Sequence, residues 1–188
     1  MHNLRLEFPV MMALCVTMAA QDRAHIEVFG GYSLERIAPC GPPLSGEFPC
    51  GAEQGELPRT SNFNGWNASV TGYFSKFLGA TADFSGHYGS YGNPAFNQTA
   101  SRYSYMFGPT FAWRTQRATP FAHVLLGRTS ESFASYNVFS WAIGGGLDVS
   151  VNRRVAVRFA QLDYESVNVP GNAAAKGLRY SGGVVFRF

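Results

Sequence analysis

The residues most able to do chemistry in this sequence are three polar side chains in the alternating run Asp83-Phe84-Ser85-Gly86-His87. A carboxylate, a hydroxyl and an imidazole are the groups of a hydrolytic relay, in which the carboxylate orients the imidazole that activates the hydroxyl. In a strand, however, Asp83, Ser85 and His87 form one column along a single face. A relay needs its groups to converge on one another, so this run predicts a polar strand face and no enzyme.

The cysteines are the second group with possible chemistry. Cys40 and Cys50 lie in a Pro/Gly-rich segment without a strand pattern. In an exported protein we expect a disulfide between them, stabilising the fold by about 2–3 kcal/mol in the chain-entropy model, with two free thiols as the alternative. No His lies near them, and the sequence has no phosphate loop, paired zinc ligands or calcium loop. We therefore expect no metal and no cofactor.

Composition bounds the class of protein. Only 14% of the 188 residues are charged, against about 25% in soluble domains, while Phe, Trp and Tyr reach 15%. The formal net charge is +3 and the basic residues are scattered, so a nucleic-acid partner is not expected.

Residues 1–20 have the features of a secretory signal peptide. Arg5 precedes an apolar run from Phe8 to Met18, and the small residues Ala19 and Ala20 follow. The run is too short to span a bilayer as a helix, which takes roughly 20 apolar residues. We expect this segment, with Cys15, to be removed, and residues 21–188 to form one mature domain.

The mature sequence repeats a period-two alternation of apolar and polar residues, which is typical of half-buried strands. Ala160 marks a loss of phase in the seventh strand, where we expect a β-bulge. Gly144 to Gly146 lie inside the sixth strand and are expected to relieve crowding or allow curvature. The eight predicted strands are 25–35, 65–74, 78–88, 101–113, 121–129, 139–151, 155–164 and 178–188.

Connections of alternating length join these strands. The short ones are 75–76, 115–120 and 152–154, and the long ones are 36–64, 89–100, 130–138 and 165–177. Short turns at one end and long loops at the other are the plan of outer-membrane barrels. The pattern predicts an all-β fold, an eight-stranded antiparallel up-and-down transmembrane β-barrel with both termini on the periplasmic side.

Alternation alone does not say which strand face points outwards, so a soluble lipocalin-like carrier of small molecules stays an alternative. Two features favour a membrane barrel. The apolar face carries aromatic residues towards strand ends, as interfacial girdles require: Trp66, Tyr88, Tyr103, Trp113 and Trp141. The opposite face mixes Ser, Thr and Gly with charges of both signs, which predicts a polar lumen network: Glu27, Asp83, His87, Arg102, Asp148, Arg158, Asp163, Arg179 and Arg187.

The sequence closes with the strand Tyr180-Ser-Gly-Gly-Val184-Val-Phe186-Arg-Phe188. Its alternate apolar positions and last aromatic residue resemble the C-terminal strand of bacterial outer-membrane proteins, which the barrel-assembly machinery reads. With eight strands, the mature chain resembles the small OmpA/OmpX-like family, without the peptidoglycan-binding domain of OmpA. The resemblance implies a bacterial outer-membrane protein surrounded by lipid and lipopolysaccharide. It implies no catalytic residues and no attachment to the cell wall.

Eight strands enclose a lumen that side chains can fill, so we expect no open pore. A narrow gated path for ions or water is the alternative. Some eight-stranded membrane barrels are lipid A deacylases or palmitoyltransferases, so the fold permits chemistry, but the residues favour no enzyme. The expected function is a structural role in the envelope or a surface interaction, with loop 36–64 as the candidate site for an extracellular ligand.

Overall fold

A computed structural model describes residues 25–38, 61–91, 98–115, 117–132, 137–168 and 174–188. No helix in these ranges is long and apolar enough to cross a membrane. The described residues form eight strands: β1 (His25–Ala38), β2 (Ser61–Tyr73), β3 (Leu78–Tyr91), β4 (Gln98–Ala112), β5 (Ala118–Glu131), β6 (Asn137–Ser150), β7 (Val155–Val167) and β8 (Ala175–Arg187).

The strands form a closed antiparallel barrel in which each one pairs with its neighbours in the sequence and β8 pairs with β1. At the closing seam the Phe188 N–H donates to the Ile26 carbonyl at 2.9 Å, and the Ile26 N–H donates back at 3.3 Å. Closure removes the free edges of the sheet. At a free edge, backbone N–H and C=O groups would lack hydrogen-bond partners, and hydrocarbon could not supply them. The predicted fold class is confirmed.

Strand pairing extends beyond the apolar segments that defined the predicted strands. The predicted loop 36–64 is too long at both ends, because Arg36 pairs with Asn62 and Ile37 with Ser61 in the β1–β2 ladder. Here both faces carry polar residues, so the alternation that marks a strand fades while its hydrogen bonds continue. The connecting segment is 39–60, and both Cys40 and Cys50 fall within it. Residues 1–24 and 39–60 lie outside the described ranges, so the signal peptide and the disulfide stay predictions.

The apolar side chains are on the outside. Trp66, Phe84, Phe107 and Phe186 are 43%, 49%, 62% and 49% exposed, whereas the buried positions include many Ser, Thr and charged residues. A soluble carrier would gather such aromatic residues around its ligand, so the lipocalin-like alternative is excluded. An apolar surface on a closed barrel is the face that a membrane barrel presents to lipid.

A β-bulge interrupts β7 where the sequence predicted one. Leu147 pairs with Ala160 and Asp148 pairs with Arg158, so Phe159 is the extra residue. The bulge restores the inward phase, because Arg158 and Gln161 are both buried although three positions separate them. On the outer face, the Tyr180 hydroxyl donates a hydrogen bond to the Phe159 carbonyl at 3.0 Å.

The three short turns share one hydrogen-bonding pattern. In the turns 74–77, 113–117 and 151–154, a side-chain oxygen of Ser75, Thr115 or Asn152 accepts a hydrogen bond from the backbone N–H three residues later, at 2.9, 3.1 and 2.8 Å. Such side-chain caps favour tight turns over continued strand. We call this end of the barrel the turn end, and the opposite one, where the longer connections lie, the loop end.

Candidate functional site: the charged barrel interior

One fully buried arginine holds three carboxylates from different parts of the wall. Arg179 on β8 donates from Nη1 to Asp83 Oδ1 at 2.9 Å and from Nη2 to Asp163 Oδ2 at 2.7 Å, and its Nε lies 3.0 Å from Glu165 Oε1. The guanidinium is 0% exposed. We call these four residues the Arg179 cluster. Because Asp83 is on β3 and both other acids are on β7, the cluster connects opposite walls of the barrel.

A glycine makes room for the contact between His123 and this cluster. His123 Nε2 lies 2.8 Å from Asp163 Oδ1. His123 and Asp163 are both register partners of Gly144, on either side of β6. A Cβ atom at Gly144 would stand 2.0 Å from Asp163 Oδ1. The expectation that the glycines of β6 relieve crowding is met at this position.

A second histidine lies in a relay-like chain nearer the loop end. The Ser33 hydroxyl is 2.9 Å from His87 Nε2, and His87 Nδ1 is 3.4 Å from Glu35 Oε2. Arg102 Nη1 lies 3.0 Å from Glu35 Oε1. The imidazole thus faces β1 and not Asp83 or Ser85 of its own strand. Ser33 is 0% exposed, and its hydroxyl also lies 2.9 Å from that of Ser181. These polar side chains therefore connect strands inside the barrel.

The turn half of the interior holds a separate ion pair. Arg158 Nε and Nη2 donate to the two carboxylate oxygens of Asp148 at 2.8 and 3.0 Å. The guanidinium carbon also lies 4.4 Å from the ring centroid of Phe29 and 4.2 Å from that of Phe121. This bidentate pair between aromatic rings, the Arg158 pair, satisfies its charges locally between neighbouring strands.

Gln161 connects the two halves. Its Oε1 accepts from Arg158 Nη1 at 2.8 Å and its Nε2 donates to Asp163 Oδ2 at 2.7 Å. The bulge at Phe159 gives this side chain its inward direction. A continuous hydrogen-bonded chain therefore runs from Asp148 to Arg179 through the middle of the barrel.

At the turn end, a further buried carboxylate pairs with two arginines. Glu27 Oε1 accepts from Arg114 Nη2 and from Arg187 Nε, each at 3.0 Å. The Arg114 guanidinium lies 4.1 Å above the ring of Tyr73. These contacts join the turn after β4 to the seam between β1 and β8.

The charges of the two halves balance differently. The loop half contains four carboxylates, on Glu35, Asp83, Asp163 and Glu165, and two guanidiniums, on Arg102 and Arg179. The turn half contains two carboxylates and three guanidiniums. By count, the loop half therefore holds two more carboxylates than guanidiniums, and the turn half holds one more guanidinium than carboxylates. No group of His, Cys, Asp or Glu in the described part of the chain has the arrangement of a metal site.

The structure places all nine predicted lumen residues inside the barrel. Arg187 is 18% exposed, and the others are buried. Among the ionisable and amide side chains described above, the predicted set omitted Glu35, Arg114, His123, Gln161 and Glu165. Glu35 and Glu165 stood at the limits of predicted strands, and the inward phase of Gln161 depends on the exact residue that the bulge inserts.

The predicted girdle and terminal residues lie on the outer surface. Trp66, Tyr88 and Tyr103 are exposed towards the loop end, where the two tyrosine hydroxyls are 3.1 Å apart. Trp113 is exposed at the turn end, and Trp141 is half-buried with its ring 5.8 Å from that of Tyr164. The proposed assembly residues are all exposed, with their side chains outward: Tyr180, Val184, Phe186 and Phe188.

No model of a known protein family matches this sequence, and no curated protein matches it significantly. Solved structures do share its fold. Neisserial surface protein A superposes with a TM-score of 0.63 at 16% identity, over 87% of this chain and 97% of that protein. OprG from Pseudomonas aeruginosa gives 0.59 at 13% identity, over 88% and 96% of the two chains.

Ail, the attachment invasion locus protein of Yersinia pestis, gives a TM-score of 0.54 at 15% identity, over 89% of this chain and all of that one, in a complex with the heparin analogue sucrose octasulfate. At these low sequence identities, the superpositions show a shared fold. This chain has the architecture of the small eight-stranded outer-membrane β-barrels. Together with the exposed apolar face, that architecture confirms the outer membrane as the predicted location.

Proposed function

We propose that this protein is a sealed outer-membrane barrel that displays its loop-end segments at the cell surface and neither conducts solutes nor catalyses a reaction. The observation that carries the proposal is the filled interior. Fully buried Arg179 and the connected ion pairs on both sides of it occupy the lumen of a barrel that has room for side chains only.

Single-channel recording of the purified protein in planar bilayers tests the seal. We expect no conductance steps from the natural sequence. A matched variant, Arg158→Ser/Arg179→Ser, removes the two large side chains along the barrel axis. If it folds, this variant should show conductance steps, because the lumen is no longer filled. Regular, voltage-dependent steps from the natural sequence would instead support the narrow gated path and overturn the proposal.

The absence of catalysis is tested at Ser33, the hydroxyl with a histidine and a carboxylate in sequence behind it. Because Ser33 is fully buried, a fluorophosphonate probe should not label the folded protein. Labelling of the natural protein that disappears in Ser33→Ala, with heat-modifiable gel migration unchanged, would show a reactive serine and contradict this part of the proposal.

We propose that segment 39–60, the connection between β1 and β2, is the main binding element, because long loops on a rigid barrel are where recognition is concentrated. It carries Glu47, Glu53 and Glu56 against one cation, Arg59. This charge favours a cationic or neutral partner over a polyanion such as the one bound to Ail. Replacing 39–60 by a Gly/Ser segment of equal length should abolish adhesion to cells or matrix while leaving barrel insertion intact. Unchanged adhesion would exclude this segment.

Lipid, lipopolysaccharide and the barrel-assembly machinery are the proposed partners of the outer surface. The outward Phe186 and Phe188 at the closing seam support recognition by the assembly machinery. We expect Phe188→Ala to slow outer-membrane assembly in cells, and Phe84→Ala, an outward residue on β3, to have no comparable effect. Equal assembly of both variants would argue against a role for the terminal residue.

A further inference from the structure

The three short turns share a pattern that the sealed barrel does not require. Each turn carries a cation: Lys76 in turn 74–77, Arg117 in turn 113–117, and Arg153 and Arg154 in turn 151–154. All four side chains are exposed. No Asp or Glu side chain among the described residues is exposed at this end, because Glu27 and Asp148 are buried in ion pairs. We call these four residues the basic turn rim.

Backbone hydrogen bonds bring the turns side by side. The Ser150 N–H donates to the Arg117 carbonyl at 2.9 Å, which joins the second turn to the strand that leads into the third. The Arg187 N–H donates to the Arg154 carbonyl at 2.8 Å, which joins the third turn to β8. The three arginines of the rim therefore belong to adjacent turns on one arc of the barrel end.

Apolar side chains lie in the same turns as these cations. Phe74, Trp113 and Val151 are 65%, 56% and 67% exposed. The ring of Phe77 lies 5.5 Å from that of Trp113. Aromatic residues of this kind sit at the level of lipid headgroups. The rim thus combines headgroup-level anchors with guanidinium groups, which bind phosphate oxygens with paired donors.

We propose that the basic turn rim binds anionic phospholipid headgroups in the membrane leaflet that faces the short turns. The inference rests on the proposed function and goes beyond it, because insertion of a sealed barrel needs only the apolar band. Charge complementarity selects a phosphodiester headgroup with a net negative charge over a zwitterionic one. The neighbouring aromatic residues favour a lipid over a soluble acidic polymer, which would gain nothing from them.

A single tryptophan can report on this site. The chain has three Trp residues, and Trp66→Phe/Trp141→Phe leaves Trp113 at the turn end as the fluorophore. In phosphatidylcholine bilayers that contain brominated phosphatidylglycerol, quenching of Trp113 measures enrichment of the anionic lipid next to the rim. We expect enrichment over brominated phosphatidylcholine at low salt, and its loss at high salt.

Arg117→Gln/Arg153→Gln/Arg154→Gln should reduce the relative affinity for phosphatidylglycerol at least fivefold, the factor expected for losing one effective cation at a charged lipid surface. The matched control is Arg36→Gln/Arg128→Gln/Lys176→Gln, which removes three exposed cations from the outer face of the barrel and should leave quenching unchanged. Equal quenching by both lipids, or an equal effect of both triple variants, would overturn the inference.

Competition and a folding check separate the remaining outcomes. If soluble polyglutamate displaces the brominated lipid and binds the detergent-solubilised protein with the same dependence on the three arginines, the rim binds acidic polymers and the lipid assignment is wrong. Heat-modifiable migration of every variant shows whether the barrel is folded and inserted. If the natural sequence folds and inserts but shows no lipid selectivity, this inference alone is contradicted. If the natural sequence neither folds nor inserts in the bilayer, the proposed function is contradicted as well.

Discussion

Arg179 and Arg158 are buried in the same lumen on adjacent strands, but they are surrounded differently. Arg179 contacts three carboxylates from two strands, and no aromatic ring of the described residues stacks on it. Arg158 pairs with one carboxylate and lies between two phenylalanine rings. Burial of an ion pair costs solvation that the attraction only partly restores, so a single pair is often replaceable by apolar residues. An arginine shared by several acids is not replaceable in this way, because its removal leaves several buried carboxylates without their cation.

The two halves of the interior therefore stabilise the barrel in different ways, although Gln161 connects them. The Arg179 cluster is a cross-link between walls that the backbone ladder does not join directly. The Arg158 pair fills space between neighbouring strands that already share a ladder. We therefore expect the loop half to be sensitive to loss of charge and the turn half to be sensitive mainly to loss of volume.

The largest effect is expected from Arg179→Met, which leaves Asp83, Asp163 and Glu165 buried without their cation. The free energy of unfolding should fall by about 3–5 kcal/mol. Urea denaturation of the protein refolded in lipid vesicles measures it, with Arg128→Met on the exposed outer face of β5 as the control. Should Arg179→Met fail to fold, Arg179→Lys, which keeps the charge and loses the fork, provides the measurement. A loss no larger than that of the control would contradict the cross-link.

Gly144→Ala should come next, with a loss of about 1–3 kcal/mol from overpacking. The new Cβ would stand 2.0 Å from Asp163 Oδ1 and force that carboxylate from His123 and Arg179. Gly72→Ala is the matched control, since a Cβ there meets nothing within 4 Å. Equal unfolding free energies for the two variants would show that the cluster tolerates displacement.

Tyr180→Phe tests the bulge that lies between the two halves. Without the hydroxyl, the Phe159 carbonyl faces lipid without its donor, which should cost about 1–3 kcal/mol. Tyr105→Phe removes a hydroxyl from another outward tyrosine and serves as the control. The same urea titration in vesicles compares them, and equal unfolding free energies for the two variants would contradict a stabilising role for this hydrogen bond.

The smallest effect is expected when the Arg158 pair is replaced as a unit. Asp148→Leu/Arg158→Met keeps the volume between Phe29 and Phe121 and removes both charges. The remaining loss is the hydrogen bond that Arg158 donates to Gln161, so the free energy of unfolding should fall by about 1 kcal/mol. The corresponding Asp83→Leu/Arg179→Met variant should be destabilised more strongly, because Asp163 and Glu165 then lose the cation that both contact. If both double variants behave alike, the distinction between the two halves fails.

Much of this architecture could be predicted from local patterns. The period-two pattern identified eight strands and placed Phe84 and Phe107 on one face and Asp83 and Arg179 on the other, because a side chain's face is a local property of a strand. The outward direction of the apolar face followed from the aromatic residues near strand ends and from the charges of both signs on the opposite face. Even the bulge near Ala160 left a local trace, since the pattern loses phase there.

The pairing of the charges could not be predicted in the same way. Arg179 meets Asp83 across the barrel, and this contact depends on the shear of the closed sheet rather than on either strand. Likewise, His87 shares a column with Asp83 and Ser85 but contacts Ser33 and Glu35, which belong to another strand. Strand limits at the loop end were also hidden, because the ladder there continues through polar residues on both faces.

The bulge in β7 has a consequence for how this barrel tolerates insertions and deletions. Loss of one residue at Phe159 or Ala160 would remove the bulge and leave Asp163 and Glu165 inward, because the residue lost is the extra one. Loss of one residue from the regular part of β7, for example Leu162, would instead turn Asp163 and Glu165 towards the acyl chains. Single-residue indels between homologous barrels should therefore collect at the bulge and at the loop end and avoid the regular part of this strand.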